Sequence, residues 1–75
     1  MCIAIPSRIV TIGDTTATVD VYGARREVSL LLLSEDASVD DYVLVHAGFA
    51  IRKIDSDAAA EALKLIKELI ASTED

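Results

Sequence analysis

The chain has little of what usually holds a 75-residue domain together. Its one cysteine, Cys2, cannot close a disulfide within the chain, and its one histidine, His46, brings the soft metal ligands to two where a structural zinc needs four. A disulfide scaffold and a zinc ribbon are both excluded. Tryptophan is absent, and Tyr22, Tyr42 and Phe49 are too few to form the base-stacking platform of a single-strand binder. Gly13, Gly23 and Gly48 stand alone, which excludes a glycine-rich phosphate loop. Asn and Gln are also missing, a trait of heat-adapted proteins, which lose these thermolabile amides. The longest apolar runs, such as Leu30 to Leu33, fall far short of the roughly 18 residues of a membrane span. The start of the chain lacks a signal peptide's basic stretch. A cytoplasmic, reducing setting with no membrane partner is the expectation.

Hydrophobic residues make up 52% of the sequence, enough to drive folding as one small domain. The net charge is -6, opposite in sign to the cationic footprint of a protein that tracks phosphates, so nucleic acid is not an expected partner. That charge is uneven. Residues 1–54 carry five bases and seven acids, whereas residues 55–75 carry two bases and six acids.

Two patterns meet near Asp55. Before it, β-branched and aromatic residues cluster in short runs between turn residues, as strands do. Ile3 to Ile12 reads as a first strand, with Pro6 at an edge or bulge because proline donates nothing to a ladder. Gly13-Asp14 turns the chain into a second strand, in which Ala17, Val19 and Val21 alternate with polar residues. Tyr22-Gly23 turns it again. Arg25 to Leu32 sets Val28, Leu30 and Leu32 against Arg26 and Glu27, and the added leucines require something to lie over Leu31 and Leu33. Ser34 to Asp41 is a loop, and Tyr42 to Ala47 and Phe49 to Ile54 are strands around Gly48, which suits a bulge or a close backbone approach. About five short strands in residues 1–54 fit a small closed or nearly closed antiparallel barrel, since closure also removes exposed edges.

Residues 55–75 form the second element of the same domain. Asp55 or Ser56 caps a helix, and the alanines at 58–60 favour it. Ala59, Leu63, Ile66 and Ile70 recur at helical spacing, with Ala62 and Leu69 widening the stripe. This amphipathic helix is expected to cover the barrel, with docking on a partner as the other use of its stripe.

Two residues stand apart from the fold-forming background. A lone cysteine is ordinarily a small buried hydrophobe, but Cys2 sits beside the α-amino group that removal of Met1 would expose, and the two together can chelate a soft metal. Both readings are open. His46 shares a strand face with Leu44 and Gly48, and its ordinary reading is a structural hydrogen-bonding group. Neither a Ser-His-Asp constellation nor a phosphate loop accompanies them, and the acid pairs Glu35-Asp36 and Asp40-Asp41 need only be solvated loop charges. An enzyme is not expected.

The run Met1-Cys2-Ile3-Ala4-Ile5-Pro6 and the block from Asp41 to Ile51, which reads Asp-Tyr-Val-Leu-Val-His-Ala-Gly-Phe-Ala-Ile, resemble the two signatures of the HypC/HupF family, small chaperones of [NiFe]-hydrogenase maturation. The resemblance covers the whole chain and departs at Asp40, where the family usually has Gly. It implies an OB-like β-barrel with an appended C-terminal helix and a non-enzymatic metallochaperone. The implied partners are an iron-sulfur scaffold protein and the hydrogenase large-subunit precursor. No cofactor is implied as tightly bound; the cargo is a transient iron group, Fe(CN)2CO. Carried over by position, Cys2 is the essential cysteine that holds iron or pairs with a partner, and Met1 is removed to expose it. His46 is a nearby auxiliary ligand or hydrogen-bonding group, and Ile3, Ala4, Ile5 and Pro6 form the interaction segment around Cys2. The modest charge and short helix favour a monomer when the chain is free.

The rival reading is a small OB-like nucleic-acid-binding or structural interaction module, for which Arg8, Arg25, Arg26, Arg52 and Lys53 would supply a basic patch. Gel shifts with single-stranded oligonucleotides at two salt concentrations separate the two. The charge balance predicts no tight binding at either, whereas tight and salt-sensitive binding would reverse the ranking.

Overall fold

The structure is a computed structural model and describes residues 5–73, the side chains of residues 70–73 excepted. Five strands and one helix follow in order: β1 (Ile5–Ile12), β2 (Thr16–Val21), β3 (Ala24–Ser29), β4 (Tyr42–His46), β5 (Phe49–Ile54) and α1 (Ser56–Thr73). The strands close into a barrel in the order β1-β2-β3-β5-β4, with β4 pairing back onto β1. Four of the five seams are antiparallel as expected. The fifth is not. β3 and β5 meet in parallel through Ser29 opposite Phe49, and Ser29 N–H donates to the Gly48 carbonyl at 2.9 Å.

Alternation decides what fills the barrel. Ile9, Ala17, Val19, Val28, Val43 and Ala50 form the buried cluster, small or β-branched residues that suit the narrow interior of a small barrel. β1 keeps its apolar face inward through a bulge at Val10: Ile9 pairs with Val19, and after the extra residue Ile12 pairs with Ala17. A second bulge falls at Ile51, between the pairs Leu44–Arg52 and Val45–Ala50. Gly48 is therefore not a bulge residue. It lies with Ala47 in a two-residue hairpin turn with positive φ at both, 54° and 84°, matched by Tyr22 and Gly23 at 54° and 86°. Pro6 occupies the edge-like position expected of it, opposite Leu44 on β4, while the β2 ladder begins only at Arg8.

β3 ends earlier than the leucine run suggests. At Ser29 the chain leaves the sheet in a turn, with Leu31 N–H donating to Ser29 Oγ at 3.1 Å and Leu33 N–H to the Leu30 carbonyl at 3.0 Å. Leu30, Leu33 and Ala37 then pack against the core and plug that end of the barrel. Leu31 and Leu32 stay 73% and 60% exposed, so the shelter expected over Leu31 and the inward place expected for Leu32 are both absent. The turn takes these two side chains off the sheet before pleating can aim them.

Residues 34–41 are tied down by polar contacts. Asp40 N–H donates to the Ile9 carbonyl at 2.8 Å and Ile9 N–H to the Asp41 carbonyl at 2.9 Å. Asp40 holds φ at +77°, the left-handed region where glycine carries no steric penalty and Asp is among the better alternatives. This explains why glycine suits the position and why Asp serves there. Its carboxylate also meets Arg8 at 3.1 Å.

Asp55 caps α1, its Oδ2 accepting from Asp57 N–H at 3.1 Å. The helix packs on β1. Ser7 and Ile9 face the interior, so Pro6 faces outward, and its complete burial places it beneath the helix. Ala59 is fully buried in this contact, Ala62, Leu63 and Ile66 are half-buried, and the Tyr22 hydroxyl donates to the Leu63 carbonyl. Leu69, assigned to the stripe by its spacing, is 65% exposed. The expected cover is thus a cover over β1, not over the leucine turn.

Asp41 links the loop to the barrel. Its carboxyl is held below its ordinary pKa near 3.8, first by the Ser38 N–H at 2.8 Å and then by Lys53, whose Nζ lies 3.3 Å away, with some burial opposing the shift. A carboxyl depressed in the folded state adds stability above its unfolded pKa and loses it as pH falls through the folded one. Urea unfolding of wild type and Asp41→Asn is therefore expected to show wild type the more stable at pH 7, with the gap closing below about pH 4. A gap that stays constant with pH would contradict this role for Asp41.

Candidate functional site

The two ends of the barrel differ. One is plugged by the loop after β3. At the other, the inward rows of four strands run out into a cleft of about 330 Å³, lined by Ile5 and Ser7 of β1, Val21 of β2, Arg26 of β3, Val45 of β4 and the turn residues Ala47 and Gly48. Ser7 is the buried polar residue here, and its hydroxyl donates to the Ile5 carbonyl at 3.3 Å. Arg26 is the charged member. It pairs with Val19 across β2 and so shares the inward parity of Val28. The sequence reading set Arg26 with Glu27 on the polar side; Arg26 is exposed, and its parity with Val28 brings it to the rim of the cleft. Arg26 lies two residues from Val28, and that spacing already carried the signal.

The site residues named from sequence gather at this same end as far as they are described. Ile5 lies opposite Val45 and Pro6 opposite Leu44, and His46 follows as the last residue of β4. Cys2, Ile3 and Ala4 fall outside the described residues. His46 does not line the cleft: it takes the outward parity of Leu44, is half-buried, and its side chain makes no hydrogen bond or ion pair with any described residue. The structural hydrogen-bonding role that is ordinary for a strand histidine is therefore not seen among the described residues.

A larger hollow of about 500 Å³ lies at the plugged end, lined by Glu35, Asp40, Asp41, Tyr42, Lys53, Ile54, Asp55 and Ser56. Its acids are already engaged. Asp40 meets Arg8, Asp41 meets Lys53, Glu35 accepts from the Lys53 N–H at 3.1 Å, and Asp55 caps the helix. Among the described residues no group of three or more His, Cys, Asp or Glu side chains could hold a metal ion, and no helix is long and apolar enough to cross a membrane. The end that bears β1's first residue is the candidate site.

A sequence model of the HupF/HypC family matches residues 1–66. The chain belongs to the HupF/HypC family. It is 43% identical over 76 residues to the hydrogenase maturation factor HypC of Helicobacter hepaticus, covering all of this chain and 88% of that protein. To HypC of Cupriavidus necator it is 49% identical over 70 residues, or 92% of this chain and 77% of the relative. Hydrogenase maturation factor HybG of Escherichia coli K12 is 35% identical over 75 residues, with 92% of each chain covered. Within a HupF/HypC chain the two motifs now have a common place: the second supplies β4 and the turn into β5, and the first runs into β1, which pairs with β4.

The turn bordering the cleft holds a non-glycine residue, Ala47, at φ +54°, a conformation that costs an L-residue about 1–2 kcal/mol. Asn is the favoured residue at this position of such a turn. Ala47→Asn is therefore expected to raise unfolding stability by about 1 kcal/mol in urea titrations, and a loss of stability would show that the turn is held by contacts the substitution breaks.

Proposed function

We infer that this chain is a hydrogenase maturation chaperone, a non-enzymatic binding protein that acts through Cys2 at the open end of the barrel. The relatives named above are hydrogenase maturation factors, matched over 77% to 92% of their length. The observation that carries the reading is the register of β1 on β4. With Ile5 opposite Val45, β1 begins at the end where His46 and the Arg26 cleft lie. Cys2 lies three peptide steps before Ile5, with Ile3 and Ala4 between them, so its reach from that point is at most about 10 Å.

The cargo is an iron carrying two cyanides and one carbon monoxide. Those ligands fill three positions of an octahedral iron, and the carrier supplies one or two more. A Cys2 thiolate serves as the soft ligand, and His46, with no described partner of its own, as an auxiliary nitrogen donor. A partner completes the set: first an iron-sulfur scaffold protein on which the group is assembled, then the precursor of the hydrogenase large subunit. A single monodentate thiolate exchanges readily, which suits a protein that must release what it holds. The cytoplasm, where thiols stay reduced, is the setting this chemistry needs.

The rival nucleic-acid reading loses ground in the structure. Arg8, Arg25 and Lys53 are each ion-paired, with Asp40, Asp20 and Asp41 respectively, so the basic patch is largely neutralised.

Purification of the tagged chain from cells that make hydrogenase, with and without Cys2→Ala, tests the reading. The wild-type chain is expected to bring down maturation partners and iron, and the variant to lose both while melting at the same temperature. Retention of partners and iron by the variant would overturn it.

A further inference from the structure

β3 closes the barrel through one residue pair, Ser29 opposite Phe49, and along Ala24 to Val28 it has β2 on one side and no paired strand on the other among the described residues. The direction of its backbone groups is fixed by two hydrogen bonds. Leu30 N–H donates to the Thr15 carbonyl at 2.8 Å, and Ser29 N–H donates to the Gly48 carbonyl at 2.9 Å. Even-numbered donors here turn toward β2 and odd-numbered ones away from it. Arg25 and Glu27 therefore aim N–H and carbonyl groups at the open side. Such an edge is a template for a further strand.

The open side also gives onto the cleft, which Arg26 lines together with Val21 of β2, Val45 of β4 and Ala47 of the β4–β5 turn. A strand laid on β3 would place the residue opposite Arg26 on Arg26's own face, and the residues two before and two after it on that face as well. Those neighbours meet a partly apolar hollow. The Arg26 side chain makes no hydrogen bond or ion pair with any described residue, and no carboxylate lines the cleft. An acid on the incoming strand opposite Arg26 complements it. A second copy of this chain supplies the wrong charge: in the two-fold pairing that overlaps Arg25 and Glu27, Arg26 would face its own copy.

We propose that the β3 edge from Ala24 to Glu27 takes an extended segment of a partner polypeptide as an added strand, apolar at alternate positions and with a carboxylate opposite Arg26. Main-chain hydrogen bonds hold such a strand, and the cleft selects its side chains. The charges of Arg25 and Glu27 on the outer face guard the edge against indiscriminate pairing. The proposal uses neither iron nor Cys2, and so goes beyond the functional reading above.

Amide exchange and NMR titration of the full chain test it. In the free chain the Arg25 and Glu27 amides are expected to exchange at least about tenfold faster than those of Arg26 and Val28. Equal protection, or protection that rises with protein concentration as a dimer forms, would show the edge already filled and overturn the proposal. The probe is an acetylated and amidated peptide, Thr-Val-Thr-Asp-Thr-Val-Thr. At about ten times its dissociation constant, exchange at Arg25 and Glu27 is expected to slow about tenfold. With Lys in place of Asp the peptide is expected to bind about fivefold more weakly. Glu27→Pro removes an outward donor and none from the β2 ladder, so this variant is expected to melt with wild type and to lose the response. Two peptides N-methylated at alternate amides, one set each, give the same readout without altering the chain, and only one of them is expected to bind. No response at β3 to the unmodified peptide, equal binding of the Asp and Lys peptides, or equal binding of the two N-methylated ones would overturn the proposal.

Discussion

Closure of the barrel between β3 and β5 is the constraint on which the other features depend. The contact is small: Ser29 lies opposite Phe49, and Ser29 N–H donates to the Gly48 carbonyl. That carbonyl is aimed by a turn held in left-handed backbone at both Ala47 and Gly48. Without closure, β3 and β5 would each present a free edge, and the interior of alanines, valines and one isoleucine would be open to water along one side. With it, a chain of this size buries a core without a disulfide within the chain. The turn that makes the seam also borders the Arg26 cleft, so the element that completes the fold and the element that shapes the site are the same few residues.

This sharing explains how a domain with so little to spare leaves one end of its barrel open. The plugged end spends Leu30, Leu33 and Ala37 on the core and ties its acids to Arg8, Lys53 and the helix start. The helix takes up the outer face of β1 over Pro6. What is left over is the end where β1 begins, and there the described polar groups are sparse and uncommitted. His46 and Arg26 have no described partners, on opposite faces of the barrel wall. Holding the fold asks nothing of either.

Much of this was legible in the chain. The period-two runs located all five strands, and the switch of period at Asp55 located the helix and its cap. The two motifs named the family that the comparison then showed. What sequence could not supply was set by long-range geometry. The parallel seam depends on strand order, which alternation does not encode. The leucine run looked like sheet because a turn at Ser29, fixed by a side-chain hydrogen bond, leaves no mark in hydropathy. Leu69 fits the helical stripe by spacing but lies six residues beyond the Tyr22 contact at Leu63 and is largely exposed. Arg26 is exposed, as an arginine in a strand usually is, and the place of its side chain at the rim of the cleft follows from its parity with Val28.

Under the proposed function, the chain's single thiol is its working group. The most direct test replaces Cys2 by selenocysteine and measures X-ray absorption at the iron edge of the chain purified with its maturation partners. A selenium scatterer at bonding distance from iron is the result this account predicts. An iron shell without selenium, in a complex that still carries its cyanide and carbonyl ligands, would contradict it.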